Sequence, residues 1–148
     1  MTILIAEDDP SSRELLVEML EGWGYGVAQA TNGAEVLERL RQATPDLILL
    51  DLQMPVLDGF AALERIRRNP MYDGIPVVAL TACAMREDRE RTRQAGFAAH
   101  IAKPVQMDSL REVLERCTRA ARENAADRGN EPIAHAAPLQ PVARTRRG

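Results

Sequence analysis

LILLDLQMPVLDGF, residues 47–60, is the stretch that decides how this chain reads. Four apolar residues, Leu47 to Leu50, run without alternation and stop at one carboxylate, Asp51. Pro45 and Asp46 precede the run, and Pro55 and Gly59 follow it. A short unbroken apolar run between turn residues is the pattern of a strand buried on both faces, as in a parallel sheet. A charge at the end of such a strand loses solvation unless something compensates for it. Two local explanations are open: Asp51 caps a turn, or it lies far enough out to stay wet. The remainder of the chain supplies a third.

Outward from this stretch, strand and helix patterns alternate. ILIA (3–6) is a short apolar run, and EDDP (7–10) then supplies acids, a helix N-cap and a first-turn proline. The helix that follows is expected to place Leu15, Leu16, Met19 and Leu20 on one face and to end at Gly22 to Gly24. Residues 25–30 form a second strand. Asn32 and Gly33 open a second helix with Val36, Leu37 and Leu40 inward. After the third strand, a helix from about Phe60 to Arg68 is expected to bury Phe60, Leu63 and Ile66. IPVVALTA (75–82) carries a fourth strand ending at Thr81. The next helix, roughly Met85 to Ala95, is almost wholly polar and offers pairs such as Glu87 with Arg91. Gly96 stops it, FAAHIA (97–102) forms a fifth strand, and a last helix from near Met107 sets Leu110, Val113, Leu114 and Cys117 at helical spacing. Five such alternations predict an α/β fold, a doubly wound sheet of five parallel strands with helices on both faces.

Composition removes several function classes. At 148 residues, 45% hydrophobic and 28% charged, the chain reads as one soluble globular domain. A net charge of −3 leaves no basic footprint for nucleic acid. No apolar run approaches the about 18 residues of a membrane span. MTILIAEDDP (1–10) has no basic region or cleavage site, so a cytoplasmic protein is expected. Cys83 and Cys117 read as small core residues in a reducing compartment, and His100 with His135 is too little for a zinc site. Of 19 cationic residues only Lys103 is lysine, which has two readings: a place where a compact ammonium on a flexible stem is needed, or chance in an arginine-rich chain. From about Ala125 the periodicity stops, and 125–148 is expected to be a disordered tail. Four arginines against Asp127 and Glu131 put that tail at +2, which leaves residues 1–124 at −5.

In a doubly wound sheet, ligands bind beyond the carboxyl ends of the strands. Glu7, Asp8 and Asp9 follow strand one, Asp51 ends strand three, Thr81 ends strand four and Lys103 follows strand five. Clustered carboxylates repel by roughly 4 kcal/mol per pair at an effective dielectric near 20. A hard divalent cation relieves that repulsion, and Mg²⁺ suits a site that also takes phosphate. No Gly-rich phosphate loop is present, so a carboxylate nucleophile forming an acyl phosphate fits better than a held nucleotide.

Together ILIAEDDP, LILLDLQMPVLDG, VVALTA and IAKP resemble the receiver domain of two-component response regulators, over about residues 1–122. The resemblance implies the flavodoxin-like (βα)5 fold, with a receiver domain over 1–124. It implies Asp51 as phosphoacceptor, with Mg²⁺ held by Asp8 and Asp51, Glu7 acting mainly through water, and the Gln53 carbonyl completing the set. Thr81 and Lys103 would be the switch and phosphate-sensing residues, and the Lys103–Pro104 bond would be cis. The implied function is phosphorelay signalling by a single-domain regulator. Its donor would be a sensor histidine kinase or a histidine phosphotransfer protein. Its output would be a protein target on the face of the fourth helix, fifth strand and fifth helix. No enzymatic activity is expected beyond self-phosphorylation and autodephosphorylation.

Departures from the family pattern are also visible. His100 stands where a switch aromatic is usual, three residues before Lys103; a satisfied histidine at a strand edge is an equal reading. Gln53 and Cys83 occupy positions that tune phosphoryl lifetime in the family. A phosphorylation-independent binding module is the alternative, against which the joint presence of Glu7, Asp8, Asp51, Thr81 and Lys103 argues. A dehalogenase-type phosphatase would want an acid where Gln53 stands, and no helix-turn-helix pattern follows residue 124.

Overall fold

The structure, a computed structural model, describes residues 1–82 and 85–130, with side chains described up to Ala120. Its elements are β1 (Thr2–Ala6), α1 (Pro10–Gly22), β2 (Gly26–Ala30), α2 (Gly33–Gln42), β3 (Leu47–Asp51), α3 (Gly59–Arg67), β4 (Val77–Thr81), α4 (Arg86–Ala95), β5 (Ala99–Ala102) and α5 (Met107–Asn130), with a 3-10 turn at Pro70–Tyr72. The five strands form one parallel sheet in the order β2-β1-β3-β4-β5. β3 is therefore central, and all five of its residues are buried, as its unbroken apolar run requires.

Side chains alternate across the sheet and define two cores. Ile3, Ile5, Leu47, Leu49, Val78 and Leu80 face one way, against Leu16 and Leu20 of α1 and Leu110, Val113, Leu114 and Cys117 of α5. Leu4, Ala6, Ile48, Leu50, Val77 and Ala79 face the other, against Val36 and Leu40 of α2 and Leu63 and Ile66 of α3. The first two helices start where their expected caps lie, and Asp58 caps α3 in the same way. Asp9 accepts from the Ser12 amide ahead of Pro10, Asn32 from the Glu35 amide, and Asp58 from the Ala61 amide. Gly96 ends α4 in the left-handed conformation, at φ 106°.

Four expectations change. Leu15 is 51% exposed, because Leu16, Met19 and Leu20 already fill the α1 stripe and Leu15 falls outside it. Phe60 and Leu37 are half-buried rather than enclosed. Arg91 does not pair with Glu87. Its guanidinium lies 4.2 Å from the centre of the Phe60 ring, and Arg93 pairs with Glu90 instead. Finally, α5 continues six residues beyond 124 to Asn130, because Ala, Glu and Arg favour helix even where no apolar face is needed. The remainder of the expected tail, 131–148, lies outside the described residues, as does Cys83. Among the described residues no helix is long and apolar enough to cross a membrane.

Candidate functional site

Parallel strands all end on one edge, so the residues that follow β1, β3, β4 and β5 share a rim. Asp51 closes β3 and is 2% exposed. Its two oxygens have separate partners: the Gln53 amide donates to Oδ1 at 2.9 Å, and Lys103 Nζ donates to Oδ2 at 2.6 Å. Glu7, one residue past β1, is 1% exposed, and its Oε2 lies 2.7 Å from the same ammonium. Oε1 accepts the Asp9 amide at 3.2 Å. Asp8 is exposed, yet Glu7, Asp8 and Asp51 each present an oxygen to one space, within 4.8 Å of one another. Of the two local explanations, the wet one fails, since Asp51 is buried; Asp51 does cap the turn after β3 through the Gln53 amide, but its other oxygen meets an ammonium that follows β5.

Electrostatics follow from this crowding. Burial pushes the Glu7 carboxyl above its usual range, Lys103 opposes that, and Asp51 adds to it. Burial alone would lower the Lys103 ammonium, but its hydrogen bond to Asp51 and its close ion pair with Glu7 outweigh this and raise it. The cation is therefore fixed at any physiological pH. Thr81 is buried at the end of β4, and its carbonyl accepts the Lys103 amide at 2.8 Å, tying the lysine's backbone to that strand end. The Lys103–Pro104 bond is cis.

A divalent cation fits the acids on structural grounds. Glu7 Oε2 is buried and has no aligned hydrogen-bond donor, despite its close approach to Nζ. Three carboxylates against one ammonium leave a local negative excess, and hard oxygen donors suit Mg²⁺. Glu7, Asp8 and Asp51 could hold the ion; exposed Gln53 adjoins them through the hydrogen bond its backbone N–H donates to Asp51 Oδ1. His100 lies apart from this rim, half-buried on β5. Burial first, then Arg89 of α4 and Arg116 of α5, hold its imidazole below the usual value.

Two contributors were not anticipated from sequence. A Cβ on Gly59 would stand 2.6 Å from the Asp51 carbonyl oxygen and 2.8 Å from Leu52 Cα, so only glycine lets α3 start against the Asp51 backbone. Arg13 of α1 reaches back to the acid-bearing loop, with Nη1 2.8 Å from the Glu7 carbonyl. The turn residue Gly59 was visible as a breaker, but nothing local marks Arg13 among 18 arginines.

Comparisons with known proteins agree with this geometry. The response regulator receiver domain model matches residues 3–115. The polar-differentiation response regulator DivK of Brucella anthropi is 35% identical over 114 residues, covering 77% of this chain and 93% of its own. The receiver domain of a sensor histidine kinase from Pseudomonas aeruginosa, solved with a magnesium ion in its active-site cleft, superposes with TM-score 0.73 at 35% identity, covering 79% of this chain and 96% of that one. The chemotaxis protein CheY4 of Vibrio cholerae gives TM-score 0.74 at 28% identity, covering 78% and 97%.

Proposed function

The chain belongs to the response regulator receiver family of two-component signalling, and from that premise we propose that it is a Mg²⁺-dependent phosphoacceptor whose nucleophile is Asp51. The observation that carries this reading is the pairing of a buried Asp51 carboxylate with Lys103 inside a three-acid cluster. A carboxylate in that setting is rigid, dehydrated and compensated, which is the state a nucleophile for phosphoryl transfer needs.

In the proposed step, a carboxylate oxygen of Asp51 attacks the phosphorus of a phosphohistidine in line. The P–O bond forms as the P–N bond breaks, and the imidazole leaves with the electron pair and takes up a proton from solvent. Lys103, held at Oδ2, meets the charge on the transferred oxygens. Mg²⁺, held by Asp8, Asp51 and Glu7 with the Gln53 carbonyl, supplies further charge neutralisation when bound. Thr81, at the end of β4, closes on the phosphoryl group and draws the loop before α4 with it. Gln53 beside Asp51 and Cys83 beyond Thr81 set the acyl-phosphate lifetime by controlling water. No other substrate is turned over.

The output face is α4-β5-α5. α4 has one buried residue, Thr92, and is otherwise held by the Arg91–Phe60 stack, so little packing opposes its movement. Moving such a switch from 1:99 to 99:1 takes about 5.5 kcal/mol of differential interaction. The proposed donor is a sensor histidine kinase or a histidine phosphotransfer protein, met in the cytosol. His100, at the centre of this face, is the proposed switch partner of Thr81.

Incubation with Mg²⁺ and acetyl phosphate, read by intact mass beside Asp51→Asn, tests the reading. A single adduct lost in the variant and on chelation supports it. A folded protein that binds no Mg²⁺ and forms no adduct with either acetyl phosphate or a phosphorylated phosphotransfer protein is instead a phosphorylation-independent binding module.

A further inference from the structure

Two of the three clustered acids, Glu7 and Asp8, are consecutive residues of the loop between β1 and α1. Consecutive side chains in extended backbone point to opposite sides, so a short loop brings both to one space only if its backbone is turned and held. The amide side of that hold is clear. The Glu7 amide donates to the Ala30 carbonyl at 3.1 Å, the Asp9 amide to Glu7 Oε1 at 3.2 Å, and the Asp9 carboxylate starts α1 by accepting the Ser12 amide at 2.9 Å.

The carbonyl side is held by Arg13. Its Nη1 donates to the Glu7 carbonyl at 2.8 Å and approaches the Asp8 carbonyl at 3.5 Å. Its Nε donates to Gln29 Oε1 of β2 at 3.3 Å. One rigid guanidinium thus joins the helix, the acid-bearing loop and the neighbouring strand. We propose that Arg13 is a positioning residue for the divalent-cation site, clamping the carbonyls of Glu7 and Asp8 so that both carboxylates stay convergent on Asp51. It touches no reacting atom and acts through the two acids. The inference rests on the Mg²⁺-dependent reading above.

Electrostatics and positioning predict opposite signs here, which makes the proposal testable. Arg13 carries positive charge beside the acids, so by Coulomb's law alone its removal would tighten cation binding. If it positions the ligands, removal loosens binding, as loss of outer-shell partners does at metal sites. The experiment is calorimetric titration of MgCl₂ into the full chain as wild type, Arg13→Ala and Arg13→Lys, with Arg111→Ala as a control that loses a stack on Trp23 and an exposed ion pair with Glu115, both away from the acids. Folding is checked by circular dichroism. Arg13→Ala is expected to weaken Mg²⁺ roughly tenfold. Arg13→Lys keeps the charge but loses the fork, and falls between. Acetyl phosphate labelling then needs more Mg²⁺ to reach half its maximal rate, while the maximal rate stays near wild type. Unchanged or tighter Mg²⁺ binding in a folded Arg13→Ala or Arg13→Lys protein overturns the proposal. If Arg13→Ala does not fold, Arg13→Lys alone decides it by the same criterion. A wild-type chain that binds no Mg²⁺ overturns the metal-dependent reading itself, and this inference with it, a result distinct from equal binding by wild type and variant.

Discussion

Lys103 Nζ lies 2.6 Å from Asp51 Oδ2, although β5 and β3 are not neighbours in the sheet. The side chain crosses the end of β4 to reach the central strand, and on the far side it meets Glu7 of the β1 loop at 2.7 Å. One ammonium is thereby shared by two buried carboxylates. A long, unbranched stem with a compact charge can make that reach and be shared, whereas a planar guanidinium carries a fixed fork that matches a single carboxylate.

Removing that cation leaves Glu7 and Asp51 facing each other in a buried site. Lys103→Met is expected to lose about 3 kcal/mol at pH 7 without metal, the low end for a broken buried pair because the lysine is partly exposed. The loss shrinks toward pH 4.5, where Glu7 takes a proton, and Mg²⁺ restores part of it. Urea unfolding at several pH values, with EDTA or MgCl₂, measures both effects.

Glu7 itself sets a pH dependence. Burial raises its folded-state carboxyl above 4.5. A raised carboxyl contributes stability that is fully present below the unfolded value and is lost as pH rises through the folded one. Glu7→Gln cannot titrate, so in EDTA its stability relative to wild type is expected to climb as pH rises from 4.5 to 7. A flat difference across that range would show that burial does not perturb Glu7.

Gly59→Ala forces a Cβ against the Asp51 carbonyl oxygen and Leu52 Cα, both backbone atoms that cannot swing away. The expected loss is about 1–3 kcal/mol, with slower acetyl phosphate labelling if Asp51 is the proposed phosphoacceptor, because the end of its strand must shift. Gly22→Ala is the control. It meets nothing within 4 Å, so it changes stability by less than about 1 kcal/mol and leaves labelling unchanged.

His100 is held below its usual value, by burial first and then by Arg89 and Arg116. A depressed histidine contributes stability that is present above the unfolded value and is lost as pH falls through the folded one. An NMR titration of the imidazole is expected to give a midpoint below 6.5, assigned by its absence in His100→Asn. Wild type loses stability relative to that variant as pH falls past that midpoint. A midpoint at or above 6.5 would place His100 in solvent and remove the argument for it as a buried switch partner.

What the sequence by itself determined was the order of elements and the residue types on the rim. Apolar runs, helical spacing, the caps at EDDP and Asn32 and the Gly96 stop act within a few residues of chain, so they are visible in the chain. What only the tertiary structure decided was which groups meet. Leu15 was assigned to the α1 core face and is in solvent, because the width of the buried stripe depends on how closely the sheet approaches. Arg91 left Glu87 for the Phe60 ring, and Tyr72 of the unforeseen 3-10 turn donates to the Leu40 carbonyl at 3.3 Å, thirty-two residues away. The sharing of Lys103 between Asp51 and Glu7, and the hold of Arg13 on the loop, belong to the same class. Backbone periodicity is a local property of the chain; charge compensation and close approach are set by distance through space, and only folding makes that distance short.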